Sequence, residues 1–557
     1  MRKNSQLVFL PLGGSGEIGM NMNLFGLGPD HDRKWVMVDC GVTFGDARTP
    51  GVDLICPDPA YIVDEAVAQG GLLALLLTHA HEDHIGAVAH LWPRLQCPIY
   101  ATAFTGELVR RKFAEKGILN PPLKIIEMGA RFSLGDFDFE YVTLTHSIPE
   151  PNGIIIRTEH GIVLHTGDWK IDIDPSLGPL TDSKTLTEIG NEGVLAMICD
   201  STNVLTPGVS GSEMRVQKRL MELIAAETGK VAVTTFASNV GRLVSVCLAA
   251  AQNDRAVCLI GRSMLRMMDV AEQTGLLPDH ISFVEMKEAG FLPDDKILYL
   301  CTGSQGEPRA ALARIARDDH PAVVLGEGDT VIFSSKIIPG NDRVIFDLQN
   351  TLVDLGVKVI TEKDEFVHVS GHPCRDELKQ MYQWVRPKYA VPVHGEARHL
   401  QEHAKLALEL GVEESLSIRN GDMVRLAPGP LEVIDQVPAG RLYIDGLIHL
   451  PEGTGVMRER KRLAEGGFLA IAVAIDRKGR IPAMPDIIAS GMPLSDNEGE
   501  DLQEIVEEAV DAALDRMSRQ QALDDDNVVR TLRRSVRAAL DPVWGKRTDI
   551  AILINRI

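Results

Sequence analysis

The run Thr78-His79-Ala80-His81-Glu82-Asp83-His84 places four metal-competent side chains, His79, His81, Asp83 and His84, within six residues. Imidazole and carboxylate donors without cysteine suit zinc, with manganese as the harder alternative. In an extended backbone the i, i+2 alternation turns His79 and His81 to the same side, so Asp83 and His84 face a second position. The spacing reads as half of a two-ion centre rather than as a polar loop. Such a centre needs further donors, and His146 and Asp168 stand where they would be required, each just after an apolar run. A set of this kind leaves a coordination position for water, as catalytic sites do.

The elements that carry these groups are short strands. Residues 71–77, Gly-Leu-Leu-Ala-Leu-Leu-Leu, form an apolar run too short for a membrane span and bounded by glycine, the pattern of a strand buried on both faces. Residues 137–145 alternate with period two and end at His146; residues 161–167 form another strand-like run ending at Asp168. Upstream, residues 6–12 read as a strand leading into Gly13-Gly14-Ser15-Gly16-Glu17-Ile18-Gly19, which has the G-x-G-x-x-G spacing of a dinucleotide loop, with Asp39 about twenty positions on. That motif is a decoy, because residues 20–26 carry asparagines and a glycine that do not propagate the helix such a loop must open; strand, turn, strand is expected. Residues 35–38 form a further strand ending at Asp39.

An H-x-H-x-D-H run followed by a later histidine and a later aspartate, each after its own strand, resembles the metallo-β-lactamase superfamily. The resemblance implies that His79, His81 and His146 hold one ion and Asp83 and His84 the other. Asp168 would bridge them, and Asp39 would support the loop from behind the ligands. One histidine of the second ion is then still to be found.

Thr206-Pro207-Gly208 breaks the chain, and Ser212-Glu213 opens an amphipathic helix. Strands are expected at 231–235, 256–260, 296–301 and 330–334. They run into the small polar loops Phe236-Ala237-Ser238-Asn239, Gly261-Arg262-Ser263, Thr302-Gly303-Ser304-Gln305-Gly306-Glu307-Pro308 and Ile338-Pro339-Gly340-Asn341. This is a second, parallel α/β domain with its ligand edge at the strand C-termini. Ser238, Asn239, Ser304 and the loop amides suit phosphate, with Arg242, Arg262 and Lys336 supplying charge. Phe366-Val367-His368-Val369-Ser370-Gly371-His372 follows, then a helix over 375–385 and a strand over 389–393 that ends at His394-Gly395-Glu396. His394 supplies the missing donor, alongside Asp83, His84 and Asp168.

An insertion between the aspartate and the last histidine, with Ser212-Glu213, Ser370-Gly371-His372 and Pro392-Val393-His394-Gly395-Glu396, resembles the β-CASP group of metallo-β-lactamase nucleases. Phe236-Ala237-Ser238-Asn239, the Thr302–Pro308 loop, Ile338-Pro339-Gly340-Asn341 and His368-Val369-Ser370-Gly371-His372 are similar to the bacterial ribonuclease J family, over essentially the whole chain. Trp169 and Asp342 depart from its usual phenylalanine and glutamate. The resemblance implies an α/β fold: a metallo-β-lactamase αββα sandwich (1–207 and 373–430) interrupted by a β-CASP domain (208–372), then a linker (431–455) and a small C-terminal α/β domain (456–557). It also implies a two-metal ribonuclease, 5'-to-3' exonucleolytic on single-stranded 5'-monophosphate RNA with endonuclease activity, serving mRNA decay and rRNA maturation. Asp83, Asp168 and His372 would be catalytic, His372 protonating the leaving oxygen or stabilising the scissile phosphate. Phe236, Ala237, Ser238, Asn239 and His368, Val369, Ser370, Gly371, His372 would bind substrate, and Glu213 would support the site from the second layer. Two divalent ions per chain, a homodimer or homotetramer, and RNA-degradation partners belong to the same expectation.

At 557 residues the chain holds roughly three to four domains. Its formal charge of -21 argues against a generally basic nucleic-acid binder, though a local positive groove can coexist with an acidic whole. Eight scattered cysteines without a C-x-x-C pair read as small buried residues of a reducing cytoplasm. Met1-Arg2-Lys3 leads into only a short apolar run and no long apolar span follows, so a cytoplasmic protein with no membrane partner is expected. In the C-terminal part, strands are expected at 468–475 and 549–554 and helices at about 498–517 and 526–540, with an acidic stretch over 496–508 that does not suit RNA. A thioester or lactone hydrolase could use the same donor run but would not need a phosphate-binding insertion. A non-enzymatic RNA binder would not need an intact ligand set.

Overall fold

In the computed structural model, described over residues 4–66 and 71–557, the chain forms two units: residues 1–43 with 54–442, and residues 44–53 with 443–557. Met1, Arg2 and Lys3 lie outside the described residues.

The first unit contains two sheets face to face. One has eight strands, in the order Glu432–Gln436, Asp422–Ala427, Gln6–Gly13, Met22–Gly28, Lys34–Val38, Leu72–Leu76, Ile99–Ala101, Leu123–Ile125. The other has seven: Arg131–Leu134, Phe137–Thr143, Asn152–Thr158, Gly161–His165, Val194–Asp200, Tyr389–Val393, Glu414–Ser415. Phe9, Phe25, Val36 and Leu76 of the first meet Phe139, Ile156, Val163 and Val391 of the second in one dry core. Helices Ser183–Glu192, Arg375–Val385 and Ala397–Glu409 close the outer face of the second sheet through Leu186, Leu378 and Leu406. This is the expected αββα sandwich.

The insertion leaves the sandwich after Val194–Asp200 and returns on Tyr389–Val393, and those two strands are parallel neighbours, Asp200 opposite Val393. The excursion therefore starts and ends at one place in the sheet, and the sandwich closes as though uninterrupted. The inserted domain is a five-stranded, all-parallel sheet in the order Ala256–Ile260, Ile297–Cys301, Val231–Thr234, Thr330–Phe333, Lys358–Ile360. Its three central strands, Ile297–Cys301, Val231–Thr234 and Thr330–Phe333, are buried on both faces, which explains their largely apolar runs without alternation. Helices Glu213–Ala226 and Val240–Gln252 cover one of those faces.

The second unit is built on a three-stranded sheet, Asp486–Ser490, Phe468–Ile475, Asp549–Arg556, one face of which is covered by helices Leu502–Asp515 and Asp525–Val543. Strand Asp486–Ser490 and helix Val456–Gly466 were not expected; both are largely exposed. The linker expected over 431–455 is not one. Glu432–Gln436 is the edge strand of the eight-stranded sheet, paired to Asp422–Ala427, and Arg441–Asp445 and Ile448–Pro451 are strands as well. An edge strand exposed on both faces satisfies its backbone through one neighbour and needs no hydrophobic alternation.

Candidate functional site

The histidine run begins where Leu72–Leu76 ends. Strand Lys34–Val38 lies parallel beside it, so Asp39 and Thr78 emerge together. Asp39 is fully buried, with one carboxylate oxygen accepting from the Thr78 amide and the other from the Thr78 hydroxyl and His84 Nδ1 at 2.7 Å. His81 is still extended, and the chain then turns into the short helix Glu82–Ile85. That turn, rather than continued alternation, separates Asp83 and His84 from His79 and His81.

Seven side chains converge. His81 Nδ1 lies 3.1 Å from His79 Nε2 and 3.0 Å from His146 Nε2. Around an ion with bonds of about 2.0–2.1 Å, tetrahedral nitrogens stand roughly 3.3 Å apart, so three rings converging at this spacing fit one ion. Asp168 Oδ2 is 3.9 Å from His79 and from His146, 3.1 Å from His84 Nε2 and 3.5 Å from His394 Nε2. Asp83 lies 3.5 Å from His84 and 3.6 Å from His394. Asp168 is thus common to two donor groups, His79-His81-His146 and Asp83-His84-His394.

Each ring that points Nε2 inward has its Nδ1 held from outside. His79 meets Thr78 Oγ1, His84 Asp39, His146 the Gly371 carbonyl and His394 Asn21 Oδ1. This fixes the tautomer that presents a lone pair to the centre. His394 Nε2 is buried and has no hydrogen-bond partner, a costly arrangement unless a cation completes it. Burial, followed by the neighbouring histidines, pushes His79 and His146 well below their ordinary range, and burial takes His81 down to about 4. For Asp168 burial acts upward but His394 and His84 outweigh it, and for Asp83 His84 does the same, so both carboxyls stay ionised. Neutral imidazoles beside ionised carboxylates are the states ligation requires. His84 is the exception: burial lowers it, but Asp168, Asp83 and Asp39 outweigh that and raise it well above its ordinary value. A field that holds a proton there also favours a metal cation. The donor set therefore fits divalent ions.

The glycine-rich loop braces this arrangement. The Gly14 carbonyl accepts from the His394 amide at 2.6 Å, and Ser15–Gly16 pair with Gly395–Glu396. Gly14 has φ +85°, and a Cβ there would lie 2.2 Å from Asn21 Oδ1. His394 itself has φ 51°, a left-handed conformation that costs a non-glycine residue energy. Asn21, read in the sequence only as a poor helix former, donates to the Asp83 carbonyl and stands 3.1 Å from His84 Nε2.

His372 lies beside the centre, its ring 5.5 Å from that of His394 and its Nδ1 2.8 Å from Asp200. Burial would lower it, but the Asp200 and Asp168 carboxylates outweigh this and hold it up to about 9. Asp200 closes the apolar strand Val194–Asp200 much as Asp39 follows Lys34–Val38, a signal the sequence carried and the sequence analysis did not use. Ser370 Oγ accepts from Asn203 Nδ2 at 2.7 Å and from the His372 amide at 3.1 Å. Val367 and Val369 are core residues, and His368 Nδ1 is buried without a partner.

The other expected anion loop behaves differently. Asn239 caps helix Val240–Gln252 through the Arg242 amide, and its Nδ2 donates to Glu213. Arg242 is fully buried, gripped by both oxygens of Glu213 and donating to the Val367 carbonyl and to Ser334. Its charge is consumed inside the domain and is not available to an anion. Glu213 likewise sits in this network, which reaches Asp172 and Lys170, and not against a metal donor. Phe236, Ala237 and Ser238 are half-buried, and Arg262 and Lys336 are exposed. Asn239, Glu213 and Lys170 line one cavity with His146.

Family models match four stretches: "Metallo-beta-lactamase superfamily" at 25–187, "Ribonuclease J, beta-CASP domain" at 228–352, "Zn-dependent metallo-hydrolase RNA specificity domain" at 356–416 and "Ribonuclease J C-terminal domain" at 455–557. A ribonuclease J of Sinorhizobium meliloti is 48% identical over 100% of this chain and 98% of its own length. Those of Mycolicibacterium smegmatis (39%, 94% of this chain, 93% of its own) and Corynebacterium glutamicum (37%, 97% and 74%) are also similar. A solved structure from Enterococcus faecalis V583, titled a protein of unknown function, shares the fold at TM-score 0.50 and 14% identity, over 75% of this chain and 100% of its own. With full-length identity to such relatives and a donor set fit for divalent ions, the chain belongs to the ribonuclease J family of metal-dependent nucleases.

Proposed function

We propose that this protein hydrolyses single-stranded RNA from a 5'-monophosphate end, 5' to 3', with some internal cleavage, and that it serves mRNA decay and rRNA maturation in the cytoplasm as a homodimer or homotetramer with RNA-degradation partners. The observation that carries the reading is the Asp168 carboxylate shared by two donor groups, with His372 directly beside it. His79, His81 and His146 would hold one ion, Asp83, His84 and His394 the other, and Asp168 both; zinc suits this set, and manganese is the alternative. Two such ions supply Lewis acidity toward the phosphate and an activated water at neutral pH. The chain's own groups do the rest. His372, whose Nδ1 is held by Asp200 2.8 Å away and lies 3.9 Å from Asp168, can donate a proton to the departing 3'-oxygen. Product then carries a 5'-phosphate.

The 5' preference rests on the loop His368-Val369-Ser370-Gly371-His372. Ser370 Oγ already accepts two hydrogen bonds, so its own O–H is left to donate to a terminal phosphate, with Ser238 as the corresponding hydroxyl of the inserted domain. A charge-assisted bond of that kind is worth roughly 1.5–3 kcal/mol, about one to two decades. Digestion of 3'-labelled 5'-monophosphate RNA should outrun that of 5'-triphosphate RNA at least about tenfold, and Ser370→Ala should erase much of the difference while sparing internal cleavage. Equal rates on the two RNAs would refute the 5'-end reading.

A further inference from the structure

Helix Asp525–Val543 of the C-terminal unit buries Val528, Leu532, Val536 and Leu540 and turns the opposite face outward. That outer face carries Arg530, Arg533, Arg534 and Arg537, all exposed. The spacings of three and four residues bring these guanidiniums together within about 10 Å of helix. Like charges so placed destabilise a helix, so the cluster needs a compensating partner. Arg533 Nε donates to the Ile550 carbonyl. Among the described residues, no carboxylate pairs with Arg530, Arg534 or Arg537, although the acidic helix Leu502–Asp515 packs against the same helix. Asp526 and Asp541 bound the face at its two ends. Four arginines against these two flanking carboxylates leave the face net cationic in a chain of net charge -21.

We propose that this arginine face binds the sugar–phosphate backbone of single-stranded RNA. The inference rests on the reading that the chain acts on RNA. Guanidinium forks match phosphate oxygens bidentately and do not lose their charge. A flexible single strand can lay successive phosphates along these guanidiniums with no demand on base identity. It would supply affinity independent of sequence and sensitive to salt.

The test is fluorescence anisotropy of the full-length metal-loaded protein with a phosphorothioate RNA of about 30 nucleotides, longer than single-strand sites of roughly 4–16, titrated across salt concentrations. Wild type is compared with R530A/R534A/R537A, with R530K/R534K/R537K and with Arg534→Ala alone. Alanine is at least as good a helix former as arginine, and circular dichroism checks that the helix persists. Single-strand binding loses a slope of about 0.7 per phosphate contact, so the triple alanine variant should flatten the plot of log affinity against log salt by about 2. Arg534→Ala should flatten it by about 0.7, and the lysine variant should stay close to wild type. Unchanged slope in the triple alanine variant overturns the proposal. Unchanged RNA binding with a smaller mass by light scattering would overturn it in favour of an interface between copies of the chain. If wild type failed to hydrolyse RNA but kept the arginine-dependent slope, the ribonuclease reading would fail and this one would stand.

Discussion

Asn21 illustrates how much of the centre depends on a residue that donates nothing to an ion. Its amide reaches the Asp83 carbonyl and His84 Nε2 in one segment and His394 Nδ1 in another, 373 residues away in sequence. Loss of such a partner typically costs 10- to 100-fold in metal affinity or activity, roughly. Asn21→Ala is therefore expected to lower RNA cleavage by about that factor and to release metal from the second donor group first, with circular dichroism unchanged. Metal content per chain after dialysis, set beside the cleavage rate, checks it; two ions retained at full activity would show that Asn21 does not hold the rings.

At the level of elements, the turn that follows Lys34–Val38 and the histidine run are packed backbone to backbone. A Cβ on Gly41 would sit 1.7 Å from the Asp83 carbonyl oxygen and 2.6 Å from the His84 amide nitrogen, atoms that cannot rotate away. Gly41→Ala must displace the segment carrying Asp83 and His84, and since a shift near 1 Å in a catalytic geometry can cost about 100-fold, cleavage should fall by at least that much. Near-normal kinetics in that variant would mean the loop yields easily. The inserted domain has a comparable device in Arg242 and Glu213, a fully buried pair reaching both Ser334 and Val367, four residues before Gly371. Removing one partner of such a pair leaves an uncompensated charge and costs about 3–5 kcal/mol. Arg242→Ala should destabilise by that order in urea unfolding, and Arg242→Met with Glu213→Leu should recover part of it.

Over the whole molecule, the donor rings come from chain positions 79 to 394, so ion binding and folding of the sandwich are coupled. Ligand at 100 times its dissociation constant stabilises the folded state by about 2.7 kcal/mol per site. A chelator should therefore lower the melting temperature of the first unit, and zinc or manganese should restore it. An unaltered melting curve, with loss of metal verified, would show that the site is preformed without the ions.

What the sequence determined by itself is the local chemistry and the buried strands. The H-x-H-x-D-H run, the period-two strand before His146 and the apolar runs of the inserted sheet follow from residue type and spacing, because donor chemistry and hydrophobic periodicity are local properties. The sequence also excluded a helix after Gly13-Gly14-Ser15-Gly16, since Asn21, Asn23 and Gly26 argue against one, and Met22–Gly28 is a strand. Tertiary structure alone decided what that loop is for: bracing His394 across 380 residues of chain through the Gly14 carbonyl. It likewise made Asp200 the partner of His372, consumed Arg242 and Glu213 in each other, and turned the expected linker at 432–436 into a sheet edge. A charge or amide has no sequence period that names its partner, and an edge strand needs no apolar face. Which buried polar groups meet is settled only when distant segments pack and each must find a hydrogen bond.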